Sequence, residues 1–409
     1  MRFCFKLCVF TLTGTLSLFI SLVTREYLVA SYLRYRSLNN PAAQRINAME
    51  NYQNEDYPEL PPSVSDTECP PHPLSNLPRP PILATDDDIL PSNNNHHHAK
   101  GAIVYLLEFI DRPLKENHRE MMKFNKSLWH LWENFSQDYP HYPVYLFHEP
   151  AFTKKYRDRY SKTWPPELKI HYHEIEFRNI PSSFSNGASL ENLGLNPTNR
   201  RAFPGYNNMI RFFWKDIMDL DIIVQLDYFW RLDHDSVLQS RVGVDVFHYM
   251  MKRQLKYGYR TVTTDVRHVT NGMLAFFDQY RRDPQHQSVT NGTSCAVMSQ
   301  RNCLEIPETQ QERNEYFPLM YYNNFEMVHV PTWRSKQMRH LTDMVDGTDM
   351  IYWNRWGDAP LRYYSINMML DVQKEVMEWC HIRYFHHKQF EPLCNLESIS
   401  YHHNPISIS

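Results

Sequence analysis

The chain has 409 residues, a formal net charge of −3 and an aromatic content of 14%. That length fits one large domain or two ordinary ones with attachments. A slightly acidic balance argues against a nucleic-acid binder, which needs a basic face, and so many rings suit a large packed core and the flat surfaces that cover sugars.

The first predicted element is a membrane segment. Leu7–Val23 is an uncharged run of 17 residues, at the lower limit for crossing a bilayer as a helix. Arg2, Lys6 and the amino terminus precede it, while Arg25 and Glu26 nearly cancel behind it. The positive-inside rule then leaves residues 1–6 as a cytosolic tail and sends everything after residue 23 into the lumen. This reads as the uncleaved signal-anchor of a single-pass type II protein. The alternative is a cleaved signal peptide, for which Val29-Ala30 is a poor processing site. Residues 24–100 lose apolar periodicity and fill with proline, asparagine and acidic residues, as in PELPPSVSD and CPPHPLSNLPRPP. Such a segment cannot bury enough apolar surface to offset chain entropy, and it reads as a disordered stem. The His96–His98 run belongs to that solvated stretch and not to a metal site.

Two features agree with a lumenal location. Asn125, Asn134 and Asn291 each begin an N-glycosylation acceptor triplet. Cysteines are sparse, and the four in the folded part suggest the close pairs Cys295–Cys303 and Cys380–Cys394. Cys69 is then left over, either free or linking two chains as a dimer. No C-x-x-C zinc pattern occurs.

The folded domain is predicted over residues 101–409. Ala102–Leu107 is a compact apolar strand, followed by a helix carrying Met121, Phe124, Leu128, Leu131, Trp132 and Phe135 on one face. Pro143–Phe147 and Leu168–Ile175 read as two more strands. Residues 208–220 place Met209, Phe212, Phe213, Ile217 and Leu220 on a helical face, and Tyr228–Leu232 is again a buried strand. Strands alternating with helices predict an α/β domain with a largely parallel sheet, whose ligands bind beyond the carboxyl ends of the strands. No G-x-G-x-x-G, P-loop or H-E-x-x-H string is present, which argues against dinucleotide, P-loop nucleotide and zincin sites.

The Tyr228–Leu232 strand ends in Asp233-His234-Asp235. Side chains at i and i+2 of an extended segment leave the same face, so two carboxylates offer oxygen ligands to one divalent cation. The same spacing at Asp86/Asp88 and Asp219/Asp221 caps no strand. Three later stretches carry further candidates: the aromatic and amide cluster around Glu326, the segment Trp353–Pro360, and the histidine-rich run with His381, His386 and His387. Asp358 is predicted to cap a helix beginning near Ala359 with Pro360 in its first turn, and the run 367–370 to be core helix.

The set Tyr206-x-x-Met-x-Arg-Phe, Tyr-Phe-Trp-Arg-Leu-Asp-x-Asp, Asn324-Phe-Glu and Arg355-Trp-Gly-Asp-Ala-Pro resembles glycosyltransferase family 15, the fungal α-1,2-mannosyltransferases, from Ala102 to about Cys394. The resemblance implies a GT-A fold, a Rossmann-like mixed sheet flanked by helices, in a Golgi type II membrane protein. It implies transfer of mannose from GDP-mannose to a mannose-terminated glycan or glycoprotein, with retention and with manganese. It assigns the metal to Asp233, Asp235 and His387, with His386 as fallback, and catalysis to Glu326 and Tyr206. Tyr206 acts either as a hydrogen-bonding group or as a nucleophile. Arg211, Arg355 and Asp358 join Asp233 and Asp235 as donor-site candidates, although Arg355 and Asp358 also read as a structural pair in the site wall. Two departures stand out. The family's Glu-Pro-Asp is Asp233-His234-Asp235 here, with His234 either an added ligand or solvent-facing. The family's strand-end Arg-Asn is Glu108-Phe109, leaving Arg112 as candidate donor-site arginine. The altered acidic motif keeps a different nucleotide-sugar donor open, as does a non-catalytic carbohydrate-binding role.

Overall fold

The computed structural model describes residues 99–110, 113–181, 203–286 and 293–394. The predicted anchor and stem, Asp86/Asp88, Arg112, Asn291 and Cys69 lie outside the described residues. Among the described residues no helix is long and apolar enough to cross a membrane.

Every strand expected from the apolar runs forms. Strands β1 (Gly101–Leu107), β2 (Val144–His148), β3 (Ile170–Glu174) and β4 (Tyr228–Leu232) are joined by β5 (Val237–Leu238), β6 (Tyr257–Tyr259), β7 (Val262–Thr264), β8 (Leu319–Tyr321), β9 (Phe325–His329), β10 (Val376–Glu378), β11 (Tyr384–His386) and β12 (Lys388–Phe390). The main sheet has seven strands in the order β10-β6-β9-β4-β1-β2-β3. It is mixed, because β9 runs antiparallel to both β4 and β6 while the other pairs are parallel. A parallel sheet was the natural expectation from the first four strands alone. The later β9 could not be oriented from its sequence.

Alternation along the strands splits the core in two. Ala102, Val104 and Phe229 face one side with helices α2 (Gly205–Trp214) and α7 (Asp358–Met369). Ile103, Tyr105, Leu107 and Trp230 face the other with α1 (Leu114–Leu131) and α3 (Val246–Lys252). The first side also carries α4 (Met273–Arg282), α5 (Cys295–Arg301) and α6 (Lys336–Gly347). The period-2 pattern of the strands dictates this division. The helix expected over 208–220 ends at Trp214 and continues as a separate 3₁₀ turn, Asp216–Asp219. Helix α7 runs to Met369, so the 367–370 stretch is largely helical core as expected.

The cysteines only partly follow sequence proximity. Cys380 and Cys394 are bonded, with Cα atoms 5.5 Å apart. Cys295 is instead a buried free thiol, while Cys303 is disulfide-bonded, so the expected Cys295–Cys303 pair is not made and the partner of Cys303 lies outside the described residues. Cys295 points into the apolar layer of α4 and α7, and burial there raises its thiol pKa to about 12. Asn134 is likewise turned inward, its amide donating to the carbonyls of His130 (3.0 Å) and Leu238 (2.9 Å).

One buried histidine sets a pH dependence. Burial lowers the pKa of His381 from 6.5 to about 4, against the opposing hydrogen bond to the Val242 carbonyl. The unfolded chain therefore takes up this proton near pH 6.5 and the native protein only near pH 4. The contribution to stability is complete above pH 6.5, lost as the pH falls toward 4, and level below; it amounts to on the order of 3 kcal/mol. Urea unfolding at pH 7 and pH 5 should show this loss in the wild type and a smaller one in His381→Gln. An identical slope in both would remove His381 as its cause.

Candidate active site

Segments far apart in the sequence meet beyond the carboxyl end of β4. The backbone turns there: the Asp233 amide donates to the Asn324 carbonyl at 3.2 Å and the Ser236 amide to the Asp233 carbonyl at 2.9 Å. Ser236 Oγ lies 2.6 Å from Tyr384 Oη, which also donates to Asn324 Oδ1 at 2.8 Å. Strand β5 leaves this turn and pairs antiparallel with β11, Val237 opposite Phe385. That pairing carries His386 onto the two aspartates.

His386 is buried, with Nε2 at 3.2 Å from Asp235 and 3.7 Å from Asp233. Its Nδ1 sits 2.9 Å from Tyr322 Oη. The Asn324 amide also donates to Nδ1 at 2.8 Å, and these contacts fix the ring with Nε2 turned toward the two aspartates, where it would serve a metal as a ligand once its proton is lost. His387 forms the tip of the tight β11–β12 hairpin, where His386 pairs with Lys388. Its φ is 56°, a left-handed conformation that is uncommon outside glycine and favours a functional explanation where it persists. One donor atom each of Asp235, His386 and His387 lies within 4.8 Å of the others. Carboxylate and imidazole donors suit manganese. Burial raises the Asp235 pKa, but the His386 hydrogen bond and the neighbouring histidine charges outweigh it and hold this carboxyl well below its usual range. Asp235 is thus ready as an anionic ligand.

His234 is neither a ligand nor solvent-facing, contrary to both expectations. Its Nε2 lies 3.0 Å from Glu120 on α1, and the Glu120 pKa falls to about 2, chiefly through that hydrogen bond. Lys123 adds a second contact to Glu120 at 2.8 Å. The residue that departs from the family's proline thus ties the metal loop to α1.

Behind the turn lies a buried charge network. Arg231 and Glu326 are direct partners across β4 and β9, and both point into the layer of α2 and α7. The Arg231 guanidinium contacts Asp358 at 2.5 Å, Asp233 at 3.2 Å and Glu326 at 3.5 Å, and lies 3.6 Å from the centre of the Phe213 ring. Glu326 is 0% exposed. It is also held by Arg362 at 3.2 Å and accepts from the Tyr257 hydroxyl at 3.1 Å. Burial raises its pKa against the opposing pull of the two arginines. The glutamate therefore touches the metal carboxylates only through Arg231 and is closed to solvent.

Asp358 does not cap its helix. Gly357 is the N-cap residue and Asp358 the first helical residue, its carboxylate taken by Arg231 and by Asn323 at 2.8 Å. Arg211 is engaged by acidic side chains of the fold. It binds Asp346 at 2.6 Å and Asp216 at 3.1 Å, so its guanidinium joins α2 to α6. Tyr206 and Arg355 do come together: Arg355 reaches the Tyr206 hydroxyl at 3.4 Å and Asp265 at 3.3 Å, from a backbone φ of 62°. Desolvation raises the Tyr206 pKa while Arg355 pulls it down. This phenol stays protonated at neutral pH.

Sequence reasoning gave no role to Arg231 or Tyr384, and flagged Tyr322 and Asn324 only as neighbours of Glu326. Arg231 did leave a signal, as a lone guanidinium inside a buried strand, which demands carboxylate partners.

The disulfide Cys380–Cys394 brackets the hairpin bearing both histidines. Replacing both cysteines by serine should lower stability by about 3 kcal/mol, the chain-entropy value for a loop of this length, and should also shrink the rise in melting temperature on adding manganese. A manganese-induced rise equal to the wild type would separate the crosslink from the metal site.

Comparison with known proteins follows the same lines. The family model of glycolipid 2-alpha-mannosyltransferase matches residues 87–405. The Saccharomyces cerevisiae protein of that name is 23% identical over 296 residues, covering 70% of this chain and 62% of its own. The probable mannosyltransferase KTR4 of the same yeast is 21% identical over 308 residues, covering 73% and 63%. The chain thus spans a little under two thirds of the length of these relatives. Among solved structures, the yeast mannosyltransferase Ktr4p in complex with GDP superposes with a TM-score of 0.59 at 18% identity, over 88% of this chain and 84% of that one. Core-mannan synthase A of Aspergillus fumigatus in its Mn/GDP form gives 0.58 at 18%, over 81% and 85%. The fold is accordingly the glycosyltransferase GT-A arrangement.

Proposed function

This chain belongs to the glycolipid 2-alpha-mannosyltransferase family, glycosyltransferase family 15, and from that premise we propose that it transfers mannose from GDP-mannose to a mannose-terminated glycan in α-1,2 linkage with retention. The observation that carries the reading is the meeting of Asp233, Asp235, His386 and His387 at the carboxyl end of β4. The GDP and manganese named for the solved neighbours support the same donor and ion. Bound by these oxygen and imidazole ligands, manganese would neutralise negative charge on the pyrophosphate.

The remaining roles belong to the chain itself. Asn324, Ser236 and Tyr384 hold the Asp233–Ser236 turn so that its carboxylates need not reorganise. Arg231 links Glu326 to Asp233 and Asp358 in the site wall. A carboxylate closed to solvent behind that guanidinium is not placed to attack the sugar, so front-face departure and attack suit this site better than a covalent glycosyl intermediate. Tyr206, protonated and braced by Arg355, serves as a hydrogen-bond donor at the rim. The uncharged run Leu7–Val23 supports a single membrane anchor with the catalytic domain lumenal, and the family resemblance supports the Golgi as that membrane.

The test is transfer from GDP-mannose to methyl α-mannoside by the full chain in detergent, with and without manganese, and digestion of the product by an α-1,2-specific mannosidase. Manganese-dependent, mannosidase-sensitive product is expected. The altered motif Asp233-His234-Asp235 favours a second reading, a different nucleotide-sugar, and parallel assays with GDP-glucose and UDP-sugars decide between them. Glycan binding without turnover of any nucleotide-sugar would sink both.

A further inference from the structure

Next along the chain from Asp265, which binds Arg355, residues of the 266–275 segment line a cavity of about 570 Å³. That volume falls within the roughly 300–1,000 Å³ of small-molecule sites. We infer that this cavity is an extended acceptor subsite, holding sugar residues that precede the reacting mannose of an oligosaccharide.

Three observations carry the inference. The first is position. Asp265, which holds Arg355, is followed directly by Val266 and Arg267 in the cavity wall. The residues flanking Arg355 grip the same wall: Asn354 Nδ2 and Trp356 Nε1 donate to the Asn271 carbonyl at 3.0 and 2.8 Å. A ligand in the cavity therefore sits one residue from the backbone that positions Arg355 and Tyr206.

The second is chemistry. Arg267, His268, Asn271, Gln310 and Asn314 present amide, imidazole and guanidinium groups, and none of the lining side chains is acidic. Such a set donates to and accepts from hydroxyl groups without requiring a charged partner. The Gln310 amide bonds Asn314 Oδ1 at 3.0 Å, and Arg267 bonds the Asn314 carbonyl at 3.1 Å, so the polar wall is preset before a ligand arrives.

The third is Phe317, which is 51% exposed at this cavity although it is a large apolar ring. The Arg267 guanidinium lies 4.6 Å from its centroid and fixes it. A held, exposed ring bordered by hydrogen-bonding groups is the arrangement that covers the C–H face of a sugar while its hydroxyls are bonded at the edge.

The inference rests on the mannosyltransferase reading, and two measurements on the full chain in detergent separate them. In the kinetic arm, Phe317→Ala and, independently, Gln310→Ala are compared with wild type using methyl α-mannoside and α-1,2-mannotriose as acceptors. Phe317→Ala is expected to raise KM for mannotriose about tenfold, a loss of about 1.4 kcal/mol, with kcat and the KM for methyl α-mannoside unchanged. Gln310→Ala should move the same parameter in the same direction. An equal change for both acceptors, or no change for either, overturns the subsite. In the binding arm, mannotriose is titrated calorimetrically into wild type and Phe317→Ala without any nucleotide-sugar. Failure of all transfer from GDP-mannose, with mannotriose binding that Phe317→Ala weakens, would strike the function and leave the cavity a glycan site. Mannotriose affinity unaffected by the substitution, or absent in the wild type, overturns the inference whatever the activity.

Discussion

Asp235→Ala is expected to abolish manganese-dependent transfer while the domain stays folded. Asp235 is the carboxylate that both histidines face, His386 at 3.2 Å and His387 at 4.0 Å. Its side chain is 15% exposed and at the edge of the core, so truncation leaves no large cavity. Removing it strips the ion site of the carboxylate shared by both histidines, and bound metal contributes several kcal/mol of charge stabilisation. A fall in kcat/KM of roughly a thousandfold or more follows. Titration of manganese by electron paramagnetic resonance should show a matching loss of affinity, and circular dichroism an unchanged fold. Wild-type manganese affinity in this variant would take the ion away from Asp235, His386 and His387 altogether.

Glu326→Gln is expected to damage both stability and turnover. Arg362 is 0% exposed, stands 4.1 Å from the Trp333 ring centre and has Glu326 as its carboxylate partner at 3.2 Å. Breaking a buried pair on one side typically costs about 3–5 kcal/mol, because the remaining charge is left uncompensated. The lower end is expected here, since the Arg362 donor to the Phe213 carbonyl at 2.7 Å survives and Arg231 keeps Asp233 and Asp358. Turnover should fall by about a hundredfold, the scale of removing one preorganised charge from a site, with GDP affinity little changed. Urea unfolding gives the first number. Initial rates at a temperature where both forms are folded give the second. A rate loss no larger than the loss of folded protein would confine Glu326 to structure.

Much of this was legible in the chain. The period of apolar residues located β1 to β4 and α1, and the Tyr228–Leu232 run ending in two aspartates marked the carboxyl end of a buried strand. The strings Asn324-Phe-Glu and Arg355-Trp-Gly-Asp-Ala-Pro carried the family, and membership followed over residues 87–405. These signals share one cause: a strand or helix writes its burial into neighbouring residues, so a short window suffices to read it.

What the window does not contain is the partner of a charge. Arg231 meets Glu326 and Asp358 across 95 and 127 positions. His234 meets Glu120 across 114, and no spacing rule predicts either contact. The same limit explains why the Asp346 partner of Arg211, brought by the approach of α6, went unseen, and it explains one error. Cys295 and Cys303 looked paired because they are close in sequence, yet Cys295 is buried in the apolar layer as a free thiol. The sequence by itself determined strands β1 to β4, the family motifs and the acidic strand end. Tertiary structure alone decided that β11 delivers His386 to those aspartates and that Glu326 is sealed behind Arg231, because both depend on which strands become neighbours in the sheet.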